Sequence, residues 1–307
     1  MNELRSPEDL EKFEVEGVVI GDLIYDTYLR ETNSATVDFR DPDFKRVFSE
    51  CISIYRDLWD LFLELQITAV CISHCVYQYA ISARIATHFE IPAFQVTGEH
   101  VYRMSKQNSH AYTEFKYFKR QFQALPLDEQ RVGVELAKAR LELRFQGQIG
   151  VDMPYSTQSA FEVVSEHTWQ GFPKDGKLRI LVATHDFFDS PHSYGNNFYP
   201  DFLIWLDSLG KISELTDYHW FLKTHKDSVA DDSEIFSSLL QKYPKFHMLD
   251  PRISHHEIIA EGIDLALTVF GTIAMEYPYF GVPVINASEN NPHVSFDFSI
   301  TPRDKNE

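Results

Sequence analysis

Short runs of consecutive β-branched and apolar residues alternate along this chain with longer stretches in which apolar residues recur every three or four positions. The first pattern marks buried strands and the second amphipathic helices. In the first half the alternation predicts a strand over residues 15–20, a helix over 43–65, a strand over 68–73, a helix over 77–89 and, after Pro92, a strand over 93–96. A helix over 128–146 follows, with Val132, Leu136, Ala139 and Leu143 on one face and Asp128 as its N-cap. The stretch 147–173 has glycines, prolines and serines but little periodicity, and it reads as a linker. Beyond it the alternation is regular: strands over 178–183, 219–223, 246–249, 265–269 and 284–286, with helices over 201–209, 234–242, 254–262 and 273–280 between them.

Strands alternating with helices imply an α/β protein with parallel sheets and right-handed crossovers. At 307 residues the chain is long enough for two domains, which the linker divides at 1–165 and 166–307. The second half, four or more strands each followed by a helix, reads as a Rossmann-like sheet. Ligands of such sheets sit outside the carboxyl ends of the strands, so those loops are where chemistry is sought.

Charge narrows the choice of partner. Lys and Arg number 28 against 46 Asp and Glu, a net charge of −18, the wrong sign for gripping a phosphate backbone, and nucleic acid is excluded as an expected partner. Peripheral membrane association stays open, because one local basic patch escapes a sum over the whole chain. No apolar run approaches the ~20 residues of a membrane span, and the first six residues lack the features of a signal peptide, so the expected location is cytoplasmic. The three cysteines, Cys51, Cys71 and Cys75, are odd in number and form no Cys-x-x-Cys pair. They are expected to be reduced thiols, mostly buried, and not metal ligands.

Several strand ends carry candidate groups. After the strand ending at Val269, Gly271 and Thr272 open a helix whose backbone amides suit phosphate, and Glu276 one turn on can reach ribose hydroxyls; an ordinary capped helix start with a solvated Glu276 is the competing reading. The loop after Ala183 holds His185, Asp186, Asp189 and His192. Lys223 and His225 end the next strand and add positive charge that a nucleotide diphosphate needs. Ser254 and Glu257 form a capping box around His255 and His256, which as sequence neighbours cannot share a helix face to hold a metal. In the first half Asp26 and His74 follow the two strands and are candidate general bases; a salt bridge of Asp26 to Arg30 and a capping role for His74 are the alternatives. Asp41 and Asp43 make an Asp-x-Asp, but before a helix, where an N-cap accounts for it. No Walker loop, nucleophile elbow, zinc-protease helix or Gly-x-Gly-x-x-Gly turn is present.

Taken together, the segments 21–30, 184–192, 254–262, 268–272, 281–286 and 290–293 resemble bacterial-type capsule and surface-polysaccharide glycosyltransferases of the GT-B fold. The resemblance implies two Rossmann-like domains whose parallel sheets face each other across a cleft. The first, beginning inside the family's usual domain and therefore expected to be truncated or small, would take the glycan acceptor, and the second the nucleotide-sugar donor. It also implies glycosyl transfer without a metal or other cofactor. Asp26, His74, Asp186 and His192 are then the candidates for the base, and Lys223, His225, His255, Gly271, Thr272 and Glu276 for donor binding. His225-Lys226 stands where the family carries His-Pro. A sugar-nucleotide 2-epimerase and a non-catalytic carbohydrate-binding or assembly subunit are the alternatives, since one fold hosts many reactions.

Overall fold

The computed structural model describes residues 4–97, 100–110, 113–151, 157–163, 169–224 and 230–307. The chain forms two compact units, Met1–Glu114 with Phe187–Trp205, and Phe115–Asp186 with Leu206–Glu307.

In the N-terminal unit, α1 (Pro7–Glu11) leads into a small antiparallel hairpin of β1 (Glu14–Val15) and β2 (Val18–Val19). The single strand expected over 15–20 is broken there, because Glu16 and Gly17 turn the chain with positive φ angles of 50° and 76°. Helix α2 (Gly21–Thr32), which the apolar pattern does not mark, starts immediately afterwards, so Asp26 is a helical residue. Gly21 is demanded by packing: a Cβ would lie 1.6 Å from the Leu10 carbonyl oxygen. Every residue from Gly21 to Leu29 is buried, so α2 carries its polar side chains inside the unit. The long α3 (Pro42–Glu64), capped by Asp41, covers it with Phe44, Val47, Phe48 and Cys51.

The βαβ unit of this half is built from β3 (Val70–Ile72), α4 (Ile81–His88) and β4 (Ala93–Val96), with β3 and β4 parallel. A strand that the pattern did not reveal, β5 (Val101–Met104), adds antiparallel to β4 and completes a three-stranded sheet.

The C-terminal unit begins with α5 (Phe118–Gln123) and α6 (Leu127–Phe145). The start of α6 corrects the predicted cap: Pro126 occupies the N-cap, and Asp128 lies inside the first turn. Strand β6 (Arg179–Ala183), α7 (Phe202–Leu215), β7 (His219–Lys223), α8 (Ser233–Lys242), β8 (Phe246–Met248), α9 (His255–Glu261), β9 (Leu265–Thr268), α10 (Ile273–Tyr279) and β10 (Val284–Asn286) then follow the predicted order. Helix α7 runs past its expected end at 209 and through Gly210, where a Cβ would meet the Tyr243 ring at 2.3 Å.

All five strands of this unit are parallel, in the order β10-β9-β6-β7-β8. The α/β class with a Rossmann-like parallel sheet is therefore what the chain has. Leu181, Phe221, Ala266, Val284 and the helix residues Ile258, Ala274 and Tyr277 belong to one buried core around that sheet. Among the described residues, no helix is long and apolar enough to cross a membrane. Cys51 and Cys75 are buried and Cys71 is exposed, all three unbridged.

Candidate functional site

The strand order fixes where a ligand crevice forms in the C-terminal unit. From the central β6 the chain winds through β7 and β8 on one side, then returns to β9 and β10 on the other, so the topological switch lies between β6 and β9. Loops leaving neighbouring strands in opposite directions open a crevice at their carboxyl ends. The residues leaving those two strands are Thr184, His185 and Asp186, and Val269 to Thr272.

These loops are tied together by side chains. His185 Nε2 lies 3.0 Å from Thr268 Oγ1 and accepts the Val269 amide at 3.2 Å. An amide donor on Nε2 puts the ring proton on Nδ1. The Gly271 amide, expected to be free for phosphate, is donated to Thr268 Oγ1 at 3.1 Å. Gly271 itself leaves no room for a side chain, since a Cβ would stand 2.6 Å from that same oxygen.

One turn into α10, Glu276 is 1% exposed, which removes the solvated alternative. Its Oε1 is ion-paired with Arg144 Nε, and Arg144 Nη2 donates to Thr272 Oγ1 at 3.1 Å. A buried carboxylate is stable only when paired and hydrogen-bonded. Nothing local in the sequence marks Arg144, near the end of α6; its partners stand 128 and 132 positions away. The C-terminus of α6 is anchored beside it, where Phe145 packs on Phe161, Tyr279 and Phe280, and its carbonyl accepts from His256 Nε2 at 2.6 Å.

The remaining donor-side candidates are also engaged. Lys223, 2% exposed, donates Nζ to the carbonyls of Pro251 (2.7 Å) and Asp250 (3.3 Å), joining the end of β7 to the loop after β8. His255 is buried with Nδ1 2.6 Å from Tyr277 Oη, and burial raises the Tyr277 phenol well above its ordinary pKa. The capping box is present as expected: Ser254 Oγ accepts the Glu257 amide and Glu257 returns to the Ser254 amide. His225 and Lys226 lie outside the described residues.

The base candidates fall into three groups. His192 follows the C-terminal unit's first strand in sequence but belongs to the N-terminal unit, where its Nδ1 lies 2.6 Å from Asp26 Oδ1 and its Nε2 2.9 Å from Glu11 Oε1. Burial alone disfavours a charged imidazole, yet the charges and hydrogen bonds of Asp26 and Glu11 outweigh it and raise the His192 pKa well above the ordinary value. Burial likewise lifts the Asp26 carboxyl to about 6, against the opposing pull of His192. Both directions mean that the pair keeps at least one proton near neutrality. Asp26 is 1% exposed, and it is paired with His192 and not with Arg30. On the same helix Asp22 bonds Arg84 at 2.6 Å and faces His110 at 3.4 Å; burial opposes its ionisation, but these two neighbours hold its carboxyl well below the usual range. His74, by contrast, is exposed just beyond β3, with Nδ1 2.9 Å from Ser73 Oγ. Asp186 is buried in the β6 exit of the C-terminal unit.

No protein-family model and no curated protein matches the chain. Among solved structures it is similar to Thermosulfurimonas dismutans KpsC, a beta Kdo 2,7 transferase, with 14% identity over 81% of this chain and 75% of that one and a TM-score of 0.46. It is also similar to Methanocaldococcus jannaschii UDP-GlcNAc 2-epimerase in complex with UDP-GlcNAc and UDP, with 14% identity over 82% and 69% and a TM-score of 0.33. A third likeness is to the Neisseria meningitidis UDP-GlcNAc 2-epimerase bound to UDP-GlcNAc, with 14% identity over 77% and 63% and a TM-score of 0.30. Likenesses this distant assign no chemistry to the chain.

Proposed function

We propose that this chain is a glycosyltransferase that moves a sugar from a nucleotide-sugar donor to a hydroxyl of a glycan acceptor in surface-polysaccharide synthesis, without a metal. The observation that carries the reading is the β6–β9 switch point, where a buried Glu276 is paired with Arg144, itself bonded to Thr272, beside the loop bearing Gly271. A parallel sheet concentrates polar, pre-positioned groups at that point when it binds a ligand, and a carboxylate with an adjacent guanidinium suits a nucleotide, one for hydroxyls and the other for phosphate.

In this reading the donor binds the C-terminal unit and the acceptor the N-terminal unit. An acceptor oxygen attacks the anomeric carbon, the bond from that carbon to the phosphate oxygen breaks, and the nucleotide departs as an anion. Arg144, already fixed in place by Glu276 and Thr272, meets the developing charge with little reorganisation. The acceptor's proton passes to His74, the one exposed imidazole among the four base candidates; Asp26 and His192 are committed to each other inside their unit and keep α2 in place.

Turnover with a matched donor and acceptor tests the assignment. His74→Ala is expected to lower kcat by roughly 100-fold, the scale of a lost general base, with an unchanged melting temperature. Retained turnover in this variant would remove His74 from the reaction. A binding module is the second reading, favoured by the engagement of Lys223 and of the Gly271 amide. It predicts nucleotide-sugar or glycan binding with no release of nucleotide when both substrates are supplied.

A further inference from the structure

His293 is a buried titratable group that the proposed chemistry leaves unused. It stands on the loop after β10, is 5% exposed, and its Nε2 is buried with no hydrogen-bond partner among the described residues. The loop leaves β10 beside the end of β9, where the Ala287 amide donates to the Thr268 carbonyl at 2.8 Å, and β9 is the strand on one side of the switch point.

The loop that carries this ring is fully organised by its own hydrogen bonds. Asn291, completely buried, accepts the His293 amide through Oδ1 at 2.9 Å and donates Nδ2 to the Ser288 carbonyl at 3.0 Å and to Thr301 Oγ1 at 3.1 Å. Ser288 Oγ donates to the Asn290 carbonyl at 3.1 Å. A buried ring nitrogen left unsatisfied is costly, and a ligand atom that completes it removes that cost.

We infer that His293 is a further donor-site residue, whose Nε2 hydrogen-bonds an uncharged hydroxyl of the nucleotide sugar seated at the β9 exit. This rests on the nucleotide-sugar reading of the site. Burial depresses the His293 pKa to about 4, so near pH 7 the ring is neutral and offers a hydrogen-bonding nitrogen without charge. Such a group gains little from a phosphate, whose charge falls to Arg144. It suits a hydroxyl, which both donates and accepts. A site built this way rejects analogues that lack the hydroxyl, because the nitrogen is then left unpaired.

The experiment is calorimetric titration of the wild-type chain with UDP-GlcNAc, GDP-mannose and CMP-N-acetylneuraminate, repeated for His293→Phe and His293→Gln with the conjugate that binds. Loss of one hydroxyl contact in His293→Phe is expected to weaken binding by about tenfold or more, and His293→Gln, which keeps a neutral donor and acceptor, to recover part of it. A 15N spectrum of the wild-type imidazoles covers the case in which a variant does not fold: the His293 Nε2 resonance is expected to move on saturation with the conjugate. Wild-type affinity in His293→Phe, or an Nε2 resonance that stays in place when the conjugate is bound, overturns the inference and leaves the nucleotide-sugar reading intact. Absence of binding by the wild-type chain to all three conjugates overturns that reading and this inference with it.

Discussion

At the scale of single residues, the burial of ionisable groups on α2 is the feature with the largest consequences for stability. The linkage sign is the same for both members of the Asp26–His192 pair. Each has a folded pKa raised above its unfolded value, so each contributes stability that is present at low pH and lost as pH rises through the folded pKa. For Asp26 that window runs from its ordinary value of 3.8 to about 6, and for His192 it runs upward from 6.5. Asp22 works in the opposite sense and is stabilising above 3.8, so it sets the acid limb. Urea unfolding followed across the pH range is expected to show a falling midpoint as pH rises above about 6, and a flatter profile in His192→Gln. An identical profile in that variant would show that the pair does not control the alkaline limb. Asp26→Asn is expected to cost on the order of 3 kcal/mol, because it removes one partner of a buried charge pair. Neither partnership is visible in a linear reading: His192 lies 166 positions from Asp26, and Glu276 lies 132 from Arg144. Residue type marks Asp26, His192 and Glu276 but not Arg144, and only the folded chain joins each to its partner.

Element by element, periodicity was sufficient wherever one face or both faces of a segment were plainly apolar. The five parallel strands of the C-terminal unit, their helices and the capping box at Ser254 are all in the sequence pattern, because buried parallel strands are continuous apolar runs and the box has fixed spacing. The failures have physical causes. Helix α2 escapes the pattern because it is buried all round and carries Asp22, Asp26 and Thr27 inward, so it lacks a polar face. Strand β5 escapes the pattern because Val101–Met104 includes Arg103 on a short edge strand. The close approach of α1 to α2 gives a sharp test. Gly21→Ala would drive a Cβ against a backbone oxygen, which has no rotamer to escape into, and the cost is expected to exceed about 2 kcal/mol. A melting temperature within a degree of wild type would contradict the packing of these two helices.

For the whole molecule, the division of the chain into units matters more than its length. The segment Phe187–Trp205 belongs to the N-terminal unit although it follows β6 in sequence, and it supplies His192 to Asp26 and Asp201 to the Tyr25 hydroxyl at 2.5 Å. A fragment of residues 1–165 lacks both partners and is expected to show no cooperative unfolding, whereas the intact chain does; a stable 1–165 fragment would mean that α2 holds its buried charges without that segment. Against a net charge of −18, Arg144, fixed by Glu276, places a cation at the switch point. The most direct measurement of the central claim is the thermal unfolding of the wild-type chain and of Glu276→Gln against CMP, UDP, GDP and their sugar conjugates, each with and without chelator. The account predicts an upward shift with one nucleotide class, indifferent to chelator and abolished or much reduced by Glu276→Gln, because a ligand that binds only the folded state raises its midpoint. No shift with any nucleotide, or a shift that Glu276→Gln leaves unchanged, would contradict the assignment of the β6–β9 crevice as a nucleotide-sugar site.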